Sequence, residues 1–368
     1  MIRMPWTIEP RLGGAGRSIL IAPLVAIFVT VLVGAVITSS LGVSPLRALY
    51  FLYIAPFSTL FNFGEVLLKT APLLLIAQAL AIGFRAKIWN IGGEGQLILG
   101  AIGGSLLPIF FNDSDSMLML PGMVALGMTC GMLWAAIAAW LRVRFNANEI
   151  LVTLMLNSVA LQLLYYLVSG PLRDSTGYNF PQSVQFPDSA MLPLLITGTR
   201  LNASLLVGLA ATAFAWFFVE RSMIGYKLEV GGAAPNAARY AGFSETQAVW
   251  LSLLIGGAAA GLAGVFEVAG PLGQLQRVVS PGYGFSAIIV AFLGGLNPLG
   301  ILFAAVFVAV IFVGGDISQT SAGVPYAVNT VLQGVLLVSY IAARLFVDYR
   351  VRLRAPFRFE RTQLQWRH

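Results

Sequence analysis

GFRAKIWNIGGEGQLILGAIGG, residues 83–104, joins two apolar runs through a polar break laced with glycine. Trp89, Asn90, Gly92, Gly93, Glu94, Gly95 and Gln96 supply an aromatic face, two amides, a carboxylate and three glycines that free the backbone. Non-helical backbone is tolerated at membrane depth only against protein or along a water-filled path. A break of this composition between hydrophobic segments therefore marks a candidate substrate pathway.

Composition says that the flanking runs are membrane helices. Of the 368 residues, 58% are hydrophobic and 10% charged, whereas soluble domains carry about 25% charged residues. The fold class expected is an all-α integral membrane protein. Cys130, the single cysteine, excludes an intrachain disulfide. Arg3, Arg11 and Arg17 precede an apolar run from Ser18 to Thr38, which reads as a retained first helix rather than a signal peptide because it is long enough to span and further spans follow. Spanning-length runs at 18–38, 66–83, 96–111, 119–141, 149–169, 203–219, 247–268, 285–297, 299–315 and 326–346 predict about ten helices, some broken or re-entrant. Both termini then lie on one side. Asn297 and Pro298 in GGLNPLG, residues 294–300, separate the eighth and ninth spans, so a tight hairpin, two half-helices and one kinked span all remain open. The organisation expected is one membrane domain, 18–346, with an N-terminal tail 1–17 and a basic tail 347–368.

Charge orients this arrangement. With the N-terminus cytoplasmic, every Lys and Arg except Arg47, Lys69, Arg173, Arg200 and Arg277 falls inside, as the positive-inside rule requires. The net charge of +7 thus follows topology, and no nucleic-acid partner is expected. Two outside segments, 39–65 and 170–202, are long enough to present a docking surface or simply to be solvated.

Inside, the longest connection runs from Glu220 to Thr246 and contains VGGAAPNAARYAGF, residues 230–243. Pro235 stands where a helix favours its first residue, Ala237 and Ala238 continue it, and Gly242 stops it. A short helix over 235–241 is predicted, its exposed Arg239, Tyr240 and Phe243 forming an apolar and cationic knob suited to a partner's groove; plain coverage of the helix ends is the bland alternative. Nowhere is Gly followed by Lys, so no phosphate-cradling G-x-x-x-x-G-K-[ST] loop exists. If ATP drives this protein, another polypeptide binds it.

Other polar groups sit within the spans. NEILVTLMLN, residues 148–157, places Glu149, Thr153 and Asn157 on one helical face. Glu149 reads as a cap or a functional carboxylate, and Asn157 as helix-to-helix glue or a substrate contact. Glu94 reads as a pathway group or as the partner of Arg85 or Lys87. Glu267, in GLAGVFEVAG (261–270), is an ionisable group among apolar residues and so a functional candidate, or an interfacial one. The only histidine is His368, which argues against a proton relay. GYGFSAIIVAFLGGLNPLG, residues 282–300, again joins aromatic residues, Tyr283 and Phe285 among them, to glycines and a proline break. No catalytic constellation and no metal-ligand cluster appears, so an enzyme is not expected.

These motifs, in order and spacing, resemble the membrane permease subunits of bacterial ATP-binding-cassette importers for nucleosides and simple sugars, over residues 64–345. The resemblance implies a multi-pass plasma-membrane protein with a second permease copy or homologue, two ATPase subunits carrying the ATP and magnesium, and an extracytoplasmic binding protein. This chain itself would hold no cofactor. The coupling helix that docks into the ATPase would be formed by Pro235, Asn236, Ala238, Arg239, Tyr240 and Gly242. Trp89, Asn90, Glu94, Gln96, Asn157 and Phe285 are the pathway candidates, their amides and carboxylate suited to hydroxyls and base edges, and Trp89 to stacking. If the break lies near the cytoplasmic interface, it is a gate rather than a binding site. Nucleoside is favoured over ribose-type sugar, an ion-driven secondary transporter is the rival class, and a membrane scaffold the second.

Overall fold

A computed structural model describes residues 6–10, 21–177 and 180–353. Arg3, Arg11, Arg17, the start of the first span at 18 and the arginines beyond 353 lie outside these residues. The described helices are α1 (Ile21–Ser40), α2 (Pro45–Tyr53), α3 (Leu60–Arg85), α4 (Gly93–Phe110), α5 (Met119–Phe145), α6 (Glu149–Ser169), α7 (Ser204–Arg221), α8 (Met223–Ala233), α9 (Pro235–Tyr240), α10 (Glu245–Glu267), α11 (Tyr283–Leu293), α12 (Pro298–Ala322) and α13 (Ala327–Asp348). Among the described residues, nine helices are long and apolar enough to cross a membrane; α11, at 11 residues, is not one of them. A short antiparallel ribbon completes the body, β1 (Trp6–Pro10) pairing with β2 (Tyr349–Leu353) in the register Trp6 to Leu353 through Pro10 to Tyr349. It pairs the first and last described segments of the chain with each other.

Helix starts and stops follow local chemistry. The side chains of Thr59, Asn148, Ser244 and Asn297 accept backbone N–H groups in the first turns of α3, α6, α10 and α12, which satisfies donors that a helix cannot pair internally. Asn146 and Gly323 close α5 and α12 in the left-handed conformation, the usual C-terminal stop.

α3 is the hub. It is buried almost continuously from Val66 to Phe84 and packs on α7, α10, α11 and α12. Beside it, α4, α5 and α10 pack through glycines. A Cβ on Gly100 would strike the Gly261 backbone, one on Gly131 the Gly257 carbonyl, and one on Gly264 the Leu97 carbonyl. Between helices in lipid no hydrophobic force favours association, so close backbone approach through small residues supplies the packing.

Several boundaries differ from the sequence reading. The second span begins at Leu60 rather than 66, because Asn62 and Glu65 depress its apparent apolarity while Glu65 is in fact buried against Arg200. The outside segment 39–65 holds α2 and a 3₁₀ turn, Ala55–Phe57. The 170–202 segment is folded onto the body: Ser183, Phe186 and Leu192 donate their N–H groups to Leu275, Gly273 and Ala269. α8 was not foreseen, since its three glycines and charged residues read as a connection. The eighth run is only a short helix, and Gly294, Gly295 and Leu296 turn it into α12, with positive φ at Gly295 and Leu296. Of the three readings left open for GGLNPLG, the tight helical hairpin is the one observed.

Candidate functional site

The break is shorter than the sequence suggests. Gly93 already begins α4, so Glu94 and Gln96 are helical and only residues 86–92 are irregular. That irregular backbone is held by side chains from α4 and α6. Asn90 and Gln96 bond each other in both directions, Nδ2 to Oε1 at 3.0 Å and Nε2 to Oδ1 at 3.1 Å. Asn90 Oδ1 also accepts the Gly92 N–H at 2.9 Å. From α6, Thr153 Oγ1 accepts the Ile91 N–H at 3.1 Å, while Asn157 accepts the Gly95 N–H at 2.8 Å and donates to the Ile91 carbonyl at 2.9 Å. Buried amides must be paired, and here they pair with one another and with backbone of the break that lacks helical partners. The predicted face of Glu149, Thr153 and Asn157 is indeed buried as a unit.

Glu94 lies where two helix starts meet. It occupies the first turn of α4, and its Oε2 accepts the Gly284 N–H in the first turn of α11 at 2.7 Å. The contact is close enough that a Cβ on Gly284 would strike the Glu94 backbone. A carboxylate between two helix N-termini is favoured by both dipoles. Of the two readings of Glu94, the ion pair with Arg85 or Lys87 is not made among the described residues. Arg85 instead donates to the Leu296 carbonyl at 3.1 and 2.9 Å and lies 3.6 Å from Glu229 of α8. Lys87 is exposed, with φ of 56°.

Trp89 is stacked on Phe292, with ring centroids 6.0 Å apart, and lies 5.0 Å from Phe84. Phe285 stands apart from the amide cluster, exposed on α11. Gln78, Ser280 and Gln333 are participants that sequence reading missed. Gln78 ties α3 to Thr212 and to the Pro298 carbonyl, Ser280 accepts the N–H groups of Gly282 and Tyr283, and Gln333 accepts the Ser286 hydroxyl at 2.6 Å. Ser280 followed by Pro281 and Gly282 was the available signal, a cap just before α11.

The second group of candidates forms a separate knob near the α3 end of the break. α9 begins at Pro235, buries Ala238 and leaves Asn236, Arg239 and Tyr240 exposed, Tyr240 at 97%. Gly242, at φ 80°, turns the chain, and Phe243 packs back edge-on against Tyr226 instead of projecting as expected. A cavity of about 860 Å³ separates α8 and α9 from α10, with Lys87, Arg142, Lys227 and Arg239 among its lining residues. Charges link this knob to the break. Arg239 lies 4.0 Å from Glu245, which lies 3.9 Å from Arg142, which lies 3.5 Å from Glu149. Glu149 is in turn joined through its carbonyl to the Thr153 hydroxyl at 2.6 Å.

The sequence has known relatives. Residues 62–341 match the model of the branched-chain amino acid transport system / permease component family. The chain is 35% identical over 340 residues to a glucose ABC transporter permease protein of Haloferax volcanii, with 89% of each chain covered. It is 31% identical over 325 residues to a guanosine ABC transporter permease protein of Bacillus subtilis, covering 87% of this chain and 92% of the relative. A second guanosine ABC transporter permease protein of that bacterium is 25% identical over 247 residues, covering 66% and 77%.

Proposed function

We propose, from the premise that this chain belongs to the branched-chain amino acid transport system / permease component family, that it forms half of the translocation path of an ATP-binding-cassette importer for nucleosides or simple sugars. As a multi-pass membrane permease it is a transporter component and not an enzyme. The similarity to ABC permeases along nearly its whole length carries this reading. The solutes named for them, glucose and guanosine, bracket the solute class, and guanosine is a base joined to a sugar. We favour a nucleoside on the form of the NIGGEGQ motif.

The two guanosine relatives of one bacterium support a second permease beside this one. Two ATPase subunits, binding ATP and magnesium, and an extracytoplasmic binding protein complete the proposed assembly. The chain lacks a phosphate-cradling loop, so energy enters through contact, and α9 with its exposed Tyr240 and Arg239 is the proposed plug. Asn90, Glu94, Gln96 and Asn157 act in this reading as a gate that keeps the 86–92 break in register. Their bonds to one another and to backbone favour that role over direct contact with solute, and the stacking of Trp89 on Phe292 favours the same role for its ring. Phe285, exposed on α11, is the proposed path-lining residue.

The test is uptake of labelled guanosine, glucose and ribose into proteoliposomes holding this chain with its partner subunits, with and without ATP. ATP-dependent uptake of one solute that Arg239→Glu abolishes, with the complex intact, supports the reading. Uptake by this chain alone, indifferent to ATP and to Arg239, overturns it.

A further inference from the structure

The cavity of about 860 Å³ between α8, α9 and α10 lies where long helices end. Ala86 and Lys87, just past the end of α3, line it, together with Arg142 in the last turn of α5 and Glu245 in the first turn of α10. These helices are long enough to span, so a cavity at their ends lies at a membrane face. Trp250, half-buried in its wall, is a residue type favoured at that boundary. The volume suits a small molecule.

Its wall has two chemistries. Ile224, Leu251 and Leu254 form an apolar side that continues into the apolar run of α10. Lys87, Arg142, Lys227 and Arg239 bring positive charge, and Glu245 is the carboxylate among the lining residues. Glu245 serves the two arginines, 3.9 Å from Arg142 and 4.0 Å from Arg239. The lysines are left over, since among the described residues neither has a carboxylate within ion-pair distance. Lys227 stands over the Phe243 ring at 5.6 Å, and Lys87 is held at φ 56°. A non-glycine residue in the left-handed region is strained, and such strain gathers at ligand clamps. Unneutralised cations beside an apolar wall at a membrane face fit an amphiphilic anion. A soluble anion would leave the apolar wall unused, and a zwitterionic lipid would bring its own cation against the lysines.

We infer that this cavity binds an anionic phospholipid, its phosphate against Lys87 and Lys227 and an acyl chain along Ile224, Leu251 and Leu254. The inference needs only that the chain spans a membrane, whatever solute it carries. Phosphatidylglycerol with brominated acyl chains, which quenches tryptophan on contact, is titrated into the purified full chain in neutral detergent, with and without its partner subunits. The Trp250 signal is the difference between wild type and Trp250→Phe. Wild type half-saturates with this lipid at roughly tenfold lower concentration than with brominated phosphatidylcholine, because basic side chains at a membrane surface attract anionic lipid. Lys87→Gln and Lys227→Gln each weaken phosphatidylglycerol by about fivefold, the share of one basic side chain, and leave phosphatidylcholine unchanged. Equal half-saturation for the two lipids, or lysine variants that match wild type, overturns the site. Lys227→Gln carries the comparison alone if Lys87→Gln does not fold. Displacement of the brominated lipid by inorganic phosphate at equal concentration shows a free-anion site and overturns the lipid. Quenching that disappears when the partner subunits are present gives the cavity to one of them, and overturns it as well.

Discussion

Asn90 and Gln96 hold each other by both amides, six residues apart across the junction between an irregular segment and a helix. Each satisfies the other inside the buried junction. Removing one leaves the other's donor and acceptor buried, at about 1–3 kcal/mol. Asn90→Ala and Gln96→Ala should therefore each lower the midpoint of thermal unfolding of the purified protein, and the double variant should be little worse than the poorer single. Additive losses in that double-mutant cycle would show that the two amides act separately.

Arg142 joins the knob to the break. Its guanidinium touches Glu149, which is buried, and Glu245, which is exposed. Arg142→Gln should lower solute uptake per ATP hydrolysed by severalfold, because motion of α9 would no longer be carried to α6 and Thr153. A variant that loses uptake and ATPase activity in equal proportion would point to simple misfolding, and one that keeps its coupling ratio would remove Arg142 from the relay.

Glycine supplies a paired test of packing. Gly261→Ala places a methyl against the Gly127 carbonyl, where backbone cannot yield cheaply, and overpacking of this kind typically costs about 1–3 kcal/mol. Gly334→Ala in α13 meets open space and should raise stability by about 0.5–1 kcal/mol through the unfolded chain. Thermal unfolding in one detergent reads both; two shifts of the same sign would refute the close-packed seam between α4, α5 and α10.

The Arg200 fork on Glu65 predicts a failed conservative replacement. The Arg200 side chain is 54% exposed, so solvent screening limits the pair to about 1 kcal/mol, well short of a fully buried one. Arg200→Lys should lose most of this, since an ammonium cannot match a carboxylate in two parallel bonds, and the difference from wild type should shrink in high salt. Equal unfolding midpoints for Arg200→Lys and wild type at low salt would count against the bidentate geometry.

Hydropathy and turn chemistry made the helical body and the short Pro235 helix legible, because long apolar runs and a Pro-to-Gly bracket are local signals. Where helices carry polar residues the same reasoning misplaced their edges: α3 starts early because Glu65 finds Arg200, 135 residues away. The site was legible in its residue types and not in its partners. Spacing put Thr153 and Asn157 on one face, but only the fold shows that the face meets Ile91 and Gly95. Glu94 looked like a companion for Arg85 because the two are near in sequence. The Gly284 N–H that it receives is 190 residues on, beyond any local pattern.

The ribbon between Trp6–Pro10 and Tyr349–Leu353 makes the polypeptide effectively circular. α1 and α13, first and last of the long helices, pack side by side, so the covalent order of the chain matters less to this shape than its cyclic order. A circular permutant opened in the exposed turn at Asp115 and spliced across the ribbon should still assemble. Its fresh ends would emerge at the face opposite α9, giving an attachment point that leaves the α9 side untouched.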